Sequence, residues 1–112
     1  MNTLKNKVQL IGNLGNDPEI TNFESGKILA KFSIATNDSY KNAQGEKITD
    51  TQWHNVVAWG KTAQIIEKFV TKGKEIAIEG KLTTRTWEDK EGMKRYITEV
   101  VCNELLMLGN KQ

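Results

Sequence analysis

The chain has 112 residues, 38% of them hydrophobic and 27% charged, with 16 basic and 14 acidic side chains and a formal net charge of +2. That is enough chain for a single domain, 1–112, with one modest core, and the near balance of charge excludes a polybasic tail, so an anionic partner has to be met by a local arrangement of charge. No run approaches the ~18 apolar residues of a membrane-spanning helix, and "MNTLKNKVQL" lacks the apolar segment of a signal peptide, so a cytoplasmic protein is expected.

In chain order, "NKVQLIGNLG" alternates apolar and polar residues and breaks at Gly12 and Gly15, which reads as a first strand. "NDPE" and "ESGK" read as turns. "KILAKFSIATNDSY" is a long second strand, with Ile28, Ala30, Phe32 and Ile34 on one face and Leu29, Lys31, Ser33 and Ala35 on the other. "KNAQGEK" is a polar loop, and "TQWHNVVAW" is the third strand. The period then changes: "KTAQIIEKFVTKG" places Ile65, Ile66, Phe69 and Val70 at helical offsets, with Thr62 as the expected N-cap and Gly73 as the residue just past the C-cap. Alternation returns in "KEIAIEGKLTTRTW", where Ile76, Ile78 and Leu82 point one way and Lys81, Arg85 and Trp87 the other. "EDKEGMK" is a hairpin turn, and "RYITEVVCNELLML" a last long strand that carries the single Cys102 as a buried thiol, consistent with a reducing compartment. Three strands, one short helix and two strands, with a glycine inside a long strand at Gly80, predict an all-β, five-stranded OB-fold, a small Greek-key barrel. An open five-stranded sheet with a packed helix would read similarly.

The third strand carries the chemistry. Trp53 and Trp59 are six residues apart, an even number, so they share a face with Asn55 and Val57, opposite His54, Val56 and Ala58. Trp87 ends the fourth strand beyond Lys81 and Arg85, Tyr40 ends the second beside Lys41, and Lys61 follows Trp59. Rings interleaved with cations form a surface on which unpaired bases stack while Lys and Arg meet phosphates; duplex DNA, whose bases are already stacked, does not suit it. The plain alternative is an interaction protein whose tryptophans sit in an interface. Nothing supports an enzyme. His54 falls opposite the tryptophans and reads as a packing or subunit-contact residue, and one Cys with one His cannot build a zinc site. "WGKTA" holds a GKT triplet, but Asn55 stands where a phosphate-binding loop needs its first glycine. No metal or cofactor is expected.

From about Asn6 to Leu108 the chain resembles the bacterial single-stranded DNA-binding proteins. The resemblance lies in "NKVQLIGNLGNDPE", "FSIATNDSY", "TQWHNVVAWGKTA", "KGKEIAIEGKLTTRTW" and "RYITEVV", in that order. It implies a non-catalytic OB-fold that binds single-stranded DNA with little sequence preference during replication, recombination and repair. Stacking positions carry over to Tyr40, Trp53, Trp59 and Trp87, and backbone-contacting cations to Lys61, Lys72 and Arg85, with Lys7, Lys41, Lys74 and Lys81 as further positions. His54 matches a position near a subunit interface, and a homotetramer with first strands pairing across a dimer is implied, in a bacterial, nucleoid-associated setting. Tyr40 stands where tryptophan is frequent, Trp59 where phenylalanine is, and Asn55 where a basic residue is common; stacking survives the first two changes, and the third removes a phosphate contact. The family usually continues into a Gly/Pro/Gln-rich tail with an acidic tip that recruits replication and repair enzymes. This sequence stops at "LGNKQ", so no recruitment through such a tip is expected of it. Primosomal and cold-shock OB-folds are the nearest alternatives: the first would lack several of these aromatics, the second this long final hairpin.

Overall fold

The computed structural model describes residues 3–108, so most of the "LGNKQ" end lies outside the described residues. After a 3-10 turn at Thr3–Asn6 come β1 (Val8–Leu14), β2 (Glu19–Asn22), β3 (Ile28–Lys41), β4 (Lys47–Trp59), α1 (Gly60–Phe69), β5 (Glu75–Glu88) and β6 (Lys94–Met107). Hydrogen bonding runs β1-β5-β6-β4-β3-β2, and an added β1–β3 pairing closes five of the strands into the expected barrel. The closures are short. Val56 and Val57 of β4 pair in parallel with Val100 and Val101 of β6, and Asn13 and Leu14 of β1 pair with Ala35 and Ile34 of β3.

Two of the remaining pairings form long antiparallel ribbons, β3–β4 from Leu29↔Trp59 to Lys41↔Lys47, and β5–β6 from Ile76↔Met107 to Glu88↔Lys94. They reach past the barrel, which explains a radius of gyration of 16.4 Å, where a chain of this length packed as a ball would give about 13 Å. All three hairpins share one design. Phe23, Asn42 and Asp89 each donate their N–H to the carbonyl four residues on, and the glycine three residues on (Gly26, Gly45, Gly92) donates back from a left-handed conformation. This is the three-residue loop in which a type I turn is followed by a left-handed glycine.

Inside the barrel lie Leu14, Ala30, Phe32, Ile34, Val56, Ala58, Ile76, Ile78, Val100 and Cys102, plugged at one end by Ala63, Ile66 and Val70. The alternation read for the long strands is therefore the alternation that folds. Burial pushes the Cys102 thiol up to about 11, so it stays protonated and packs as a small apolar group.

Several expectations are corrected. The segment before "ESGK" forms β2, an edge strand paired to β3 through Glu19↔Lys31 to Asn22↔Ile28, too short for alternation to reveal. The helix starts at Gly60, so Thr62 lies in its first turn; Trp59 holds the N-cap position with extended backbone and no side-chain cap. Val70 is the C-cap, and Gly73 sits three residues beyond, in a turn whose N–H donates to the Leu14 carbonyl. Ile65 and Phe69 are exposed, because a helix lying across a barrel end seats only the narrow stripe Ala63, Ile66 and Val70. Leu82 keeps the inward parity, opposite the buried Val100, but lies two residues past the last β1–β5 pair, Val8↔Gly80, and is exposed.

At Gly80 the backbones of β5 and β6 leave no space for a side chain. The register slips between Glu79 and Gly80, and a Cβ at residue 80 would run into the carbonyl of Val101. Backbone cannot yield as a side chain can, so Gly80→Ala should cost about 1–3 kcal/mol, read as a lower urea midpoint with the slope unchanged.

Candidate nucleic-acid interface

Trp53, Trp59, Trp87 and Tyr40 are 46–61% exposed, so none is a core aromatic. Pairing of Trp53 with Ala35, Asn55 with Ser33, Val57 with Lys31 and Trp59 with Leu29 puts the two tryptophans on the outer face of the β3–β4 sheet. Each is held differently. The Trp53 indole lies over Gly15, where even a methyl group would meet the ring, and Gly15 is itself tied to β3 through its N–H to the Ser33 carbonyl, 3.1 Å. Trp59 stacks on Phe23, with ring centroids 6.0 Å apart and planes 25° from parallel.

Where β4 meets β6, the outer faces of the two ribbons form a groove of about 430 Å³ with Lys31, Trp59, Thr83 and Arg85 on its sides and Val57, Glu99 and Val101 along it. A smaller depression of about 220 Å³ shares Lys31, Val57 and Glu99 and continues toward Asn55, Ser33 and Asn16. Arg85 donates Nε and Nη2 to the two carboxylate oxygens of Glu99, both at 3.1 Å. Glu99 is the only buried charged residue described, 5% exposed. The hydrogen bond to Glu99, and then its charge, raise the Arg85 guanidinium further above its already high value. The fork geometry leaves Nη1 free, so a half-exposed Arg85 can hold the carboxylate and still meet an anion.

The structure brings Trp59 and Arg85 into one groove and spreads the other expected residues around it. Trp87 shares the Arg85 face of β5 two residues on, roughly 7 Å along the strand. Tyr40 pairs with Ile48 near the far end of the β3–β4 ribbon, and by register belongs to the alternate face from Trp53. Lys41, Lys61, Lys72, Lys74 and Lys81 are exposed. The Lys72 backbone is fixed by its N–H to Asp17 Oδ1, 2.8 Å, while Lys7 pairs with Glu79 at 3.6 Å and so offers less free charge. His54 is half-buried opposite the tryptophans, its Nε2 3.0 Å from Thr36 Oγ1. Among the described residues, no cluster of His, Cys, Asp or Glu is placed to hold a metal ion, and no helix is long and apolar enough to cross a membrane.

Sequence reasoning missed Phe23 and Glu99. Phe23 lies just past a strand too short to be read. Glu99 left one trace, a carboxylate inside the apolar run "ITEVVC", but its partner is fourteen residues away in sequence and only the hairpin register joins them.

A closed five-stranded barrel whose outer face carries solvent-facing rings among cations is an OB-fold of the nucleic-acid-binding kind. The model of the single-strand binding protein family matches residues 5–108, and the chain belongs to that family. It is 48% identical over 107 residues to single-stranded DNA-binding protein 1 of Chlorobaculum tepidum, covering 95% of this chain and 66% of that one, just under two thirds of the relative's length. It is 48% identical over 108 residues to single-stranded DNA-binding protein 1 of Xylella fastidiosa, covering 96% of this chain and 79% of that one. A solved Plasmodium falciparum SSB, in complex with single-stranded DNA, superimposes with a TM-score of 0.85 at 31% identity over 93% of this chain and 95% of that chain.

The ion pair gives a stability test. Arg85→Leu leaves the buried Glu99 carboxylate without a partner and should cost about 1–3 kcal/mol. Adding Glu99→Leu should restore much of that loss, since an apolar pair of similar volume replaces a buried ion pair at little cost. Urea unfolding of the single and double variants reads both effects.

Proposed function

We propose that residues 1–112 form one OB-fold domain that binds single-stranded DNA with little sequence preference, protecting it during replication, recombination and repair. Bases stack on Trp53, Trp59, Trp87 and Tyr40, and phosphates meet Lys61, Lys72 and Arg85, with Lys7, Lys41, Lys74 and Lys81 as outlying contacts. The observation that carries this reading is the exposure of Trp53, Trp59 and Trp87 on strand faces opposite those that build the core, with Tyr40 exposed near the far end of the β3–β4 ribbon. Large apolar rings gain nothing from water, and the β4 pair is spaced by the strand repeat to face outward together. Membership of the single-strand binding protein family supports the same substrate, and the family's proteins bind rather than catalyse. Every base has a π-face, so stacking gives affinity without selecting sequence. A bacterial cytoplasm, on the nucleoid, is the setting this function calls for.

Intrinsic fluorescence tests the reading directly. Oligo-dT should quench the tryptophans deeply and a duplex of equal length should not. Trp53→Ala and Trp87→Ala should each weaken oligo-dT binding by about 1–3 kcal/mol. Absence of quenching by oligo-dT would place the rings in a protein interface and defeat the stacking assignment.

We also propose a homotetramer assembled through the face of the barrel away from the rings. β1 is bonded to β5 along Val8–Asn13 but to β3 only at Asn13 and Leu14, so the edge of its first half is open. Beside that edge, Ile11, Ala77 and Leu106 form one cross-strand row, with Ile11 and Leu106 both exposed. An open edge next to an apolar row is a surface a second copy can cover. His54 lies on β4 opposite the rings and is assigned to a contact between copies. Light scattering should give four chains per particle, and Ile11→Asp with Leu106→Asp should reduce that number while the far-ultraviolet circular dichroism is retained.

A further inference from the structure

We propose that Phe23 is part of the single-strand-binding surface, where it holds the ring of Trp59 and extends its stacking platform onto the β2–β3 hairpin. The inference rests on the reading of Trp59 as a base-stacking residue and deepens it.

The argument starts from the three hairpins. Each opens with a residue whose N–H closes the loop, and at two of them that residue also caps the loop with its side chain. Asn42 Oδ1 accepts the N–H groups of Gln44 and Glu46, both at 3.0 Å. Asp89 Oδ1 accepts those of Glu91 and Met93, at 3.0 and 2.9 Å. Such Asx caps are what the loop favours at this position. The β2–β3 hairpin has the same backbone, with Phe23 N–H on the Lys27 carbonyl and Gly26 N–H on the Phe23 carbonyl, both 2.9 Å. Yet its opening residue is phenylalanine, which caps nothing and remains 43% exposed. The loop forgoes two hydrogen bonds and exposes an apolar ring. A broken local rule with no local gain points to function.

The ring lies where function would place it. Its centroid is 6.0 Å from that of Trp59 with planes 25° apart, the only aromatic pair among the described residues and an offset stack. Trp59 is the last residue of β4 and lines the groove that holds Arg85. Tilted by no more than 25°, the two rings make one nearly continuous apolar ledge beside a cation. A base stacked there meets a tryptophan whose orientation is already fixed, and the Phe23 ring adds area for its neighbour.

The test uses the full chain with Trp53→Phe and Trp87→Phe, so that Trp59 is the sole tryptophan. Phe23→Asn supplies the cap the other hairpins have. The expected result is a melting temperature equal to or above the parent's, greater acrylamide quenching of Trp59 in the free protein, and oligo-dT affinity lower by roughly two- to tenfold. Phe23→Leu, which keeps apolar bulk without a ring, should lose affinity likewise, and Phe23→Tyr should keep it. If Phe23→Leu binds as the parent does while Trp59→Ala binds weakly, Phe23 is only a hairpin residue and the inference is overturned. If Trp59→Ala also binds as the parent does, the stacking role of Trp59 falls, and the inference falls with it.

Discussion

The structure depends on barrel closure through very little backbone. Two parallel pairs between β4 and β6 and two antiparallel pairs between β1 and β3 hold the ends of a strongly curled sheet together. Curling brings backbones closer than side chains allow, and glycine stands at two of the close approaches: a Cβ at residue 12 would meet the Ala35 carbonyl at the β1–β3 closure, and one at residue 80 would meet that of Val101 across the β5–β6 ribbon. Once closed, the barrel leaves space only for small and branched side chains. Three tryptophans could not fit inside it together with Phe32, Ile34, Ile66 and Ile76. The large rings are thus outside partly because closure leaves them no interior to occupy.

The same closure produces the groove. β4 and β6 meet in parallel over only two residues and then diverge into separate ribbons. Side chains near that junction converge from four strands, which is how Lys31, Trp59, Arg85 and Glu99 come together from distant parts of the chain. The buried carboxylate of Glu99 is the electrostatic anchor of this arrangement. A lone arginine on an exposed strand would sample many rotamers; held through two N–H groups, Arg85 presents its remaining donors in one direction.

What was legible in the sequence was what strand periodicity controls. The sharing of one face by Trp53 and Trp59, the burial of Ile28 to Ile34 on alternate positions, and the placing of His54 opposite the rings all follow from a period of two, and the long strands keep it. What was not legible depended on partners far away in sequence. Leu82 has the right parity for burial, but it lies past the last residue of β5 that β1 pairs with. Ile65 and Phe69 have the right helical spacing, but the barrel mouth accepts a narrower stripe than the pattern offers. Thr62 is a good capping residue that goes unused because the helix follows β4 without a loop. Phe23 lies just past a strand of four residues, too short for a period to show. The roles of Glu99 and Phe23 exist only through the register of a ribbon and the proximity of two hairpin elements.

Placing rings on strands rather than loops has an energetic consequence. A loop aromatic must be ordered when it binds, and that entropy subtracts from affinity. Here the Trp53 ring is seated on Gly15 and the Trp59 ring on Phe23 before any ligand arrives, and each tryptophan has only two side-chain torsions to fix. If bases stack on these rings as proposed, little of their binding free energy is spent on organising the protein. Cations on long flexible stems surround these rigid platforms, and their attraction weakens with salt while stacking does not depend on it. On the proposed reading the two kinds of contact answer to different conditions: the lysines would govern how fast and at what ionic strength a strand is captured, and the seated rings how much of the affinity survives when the charge is screened.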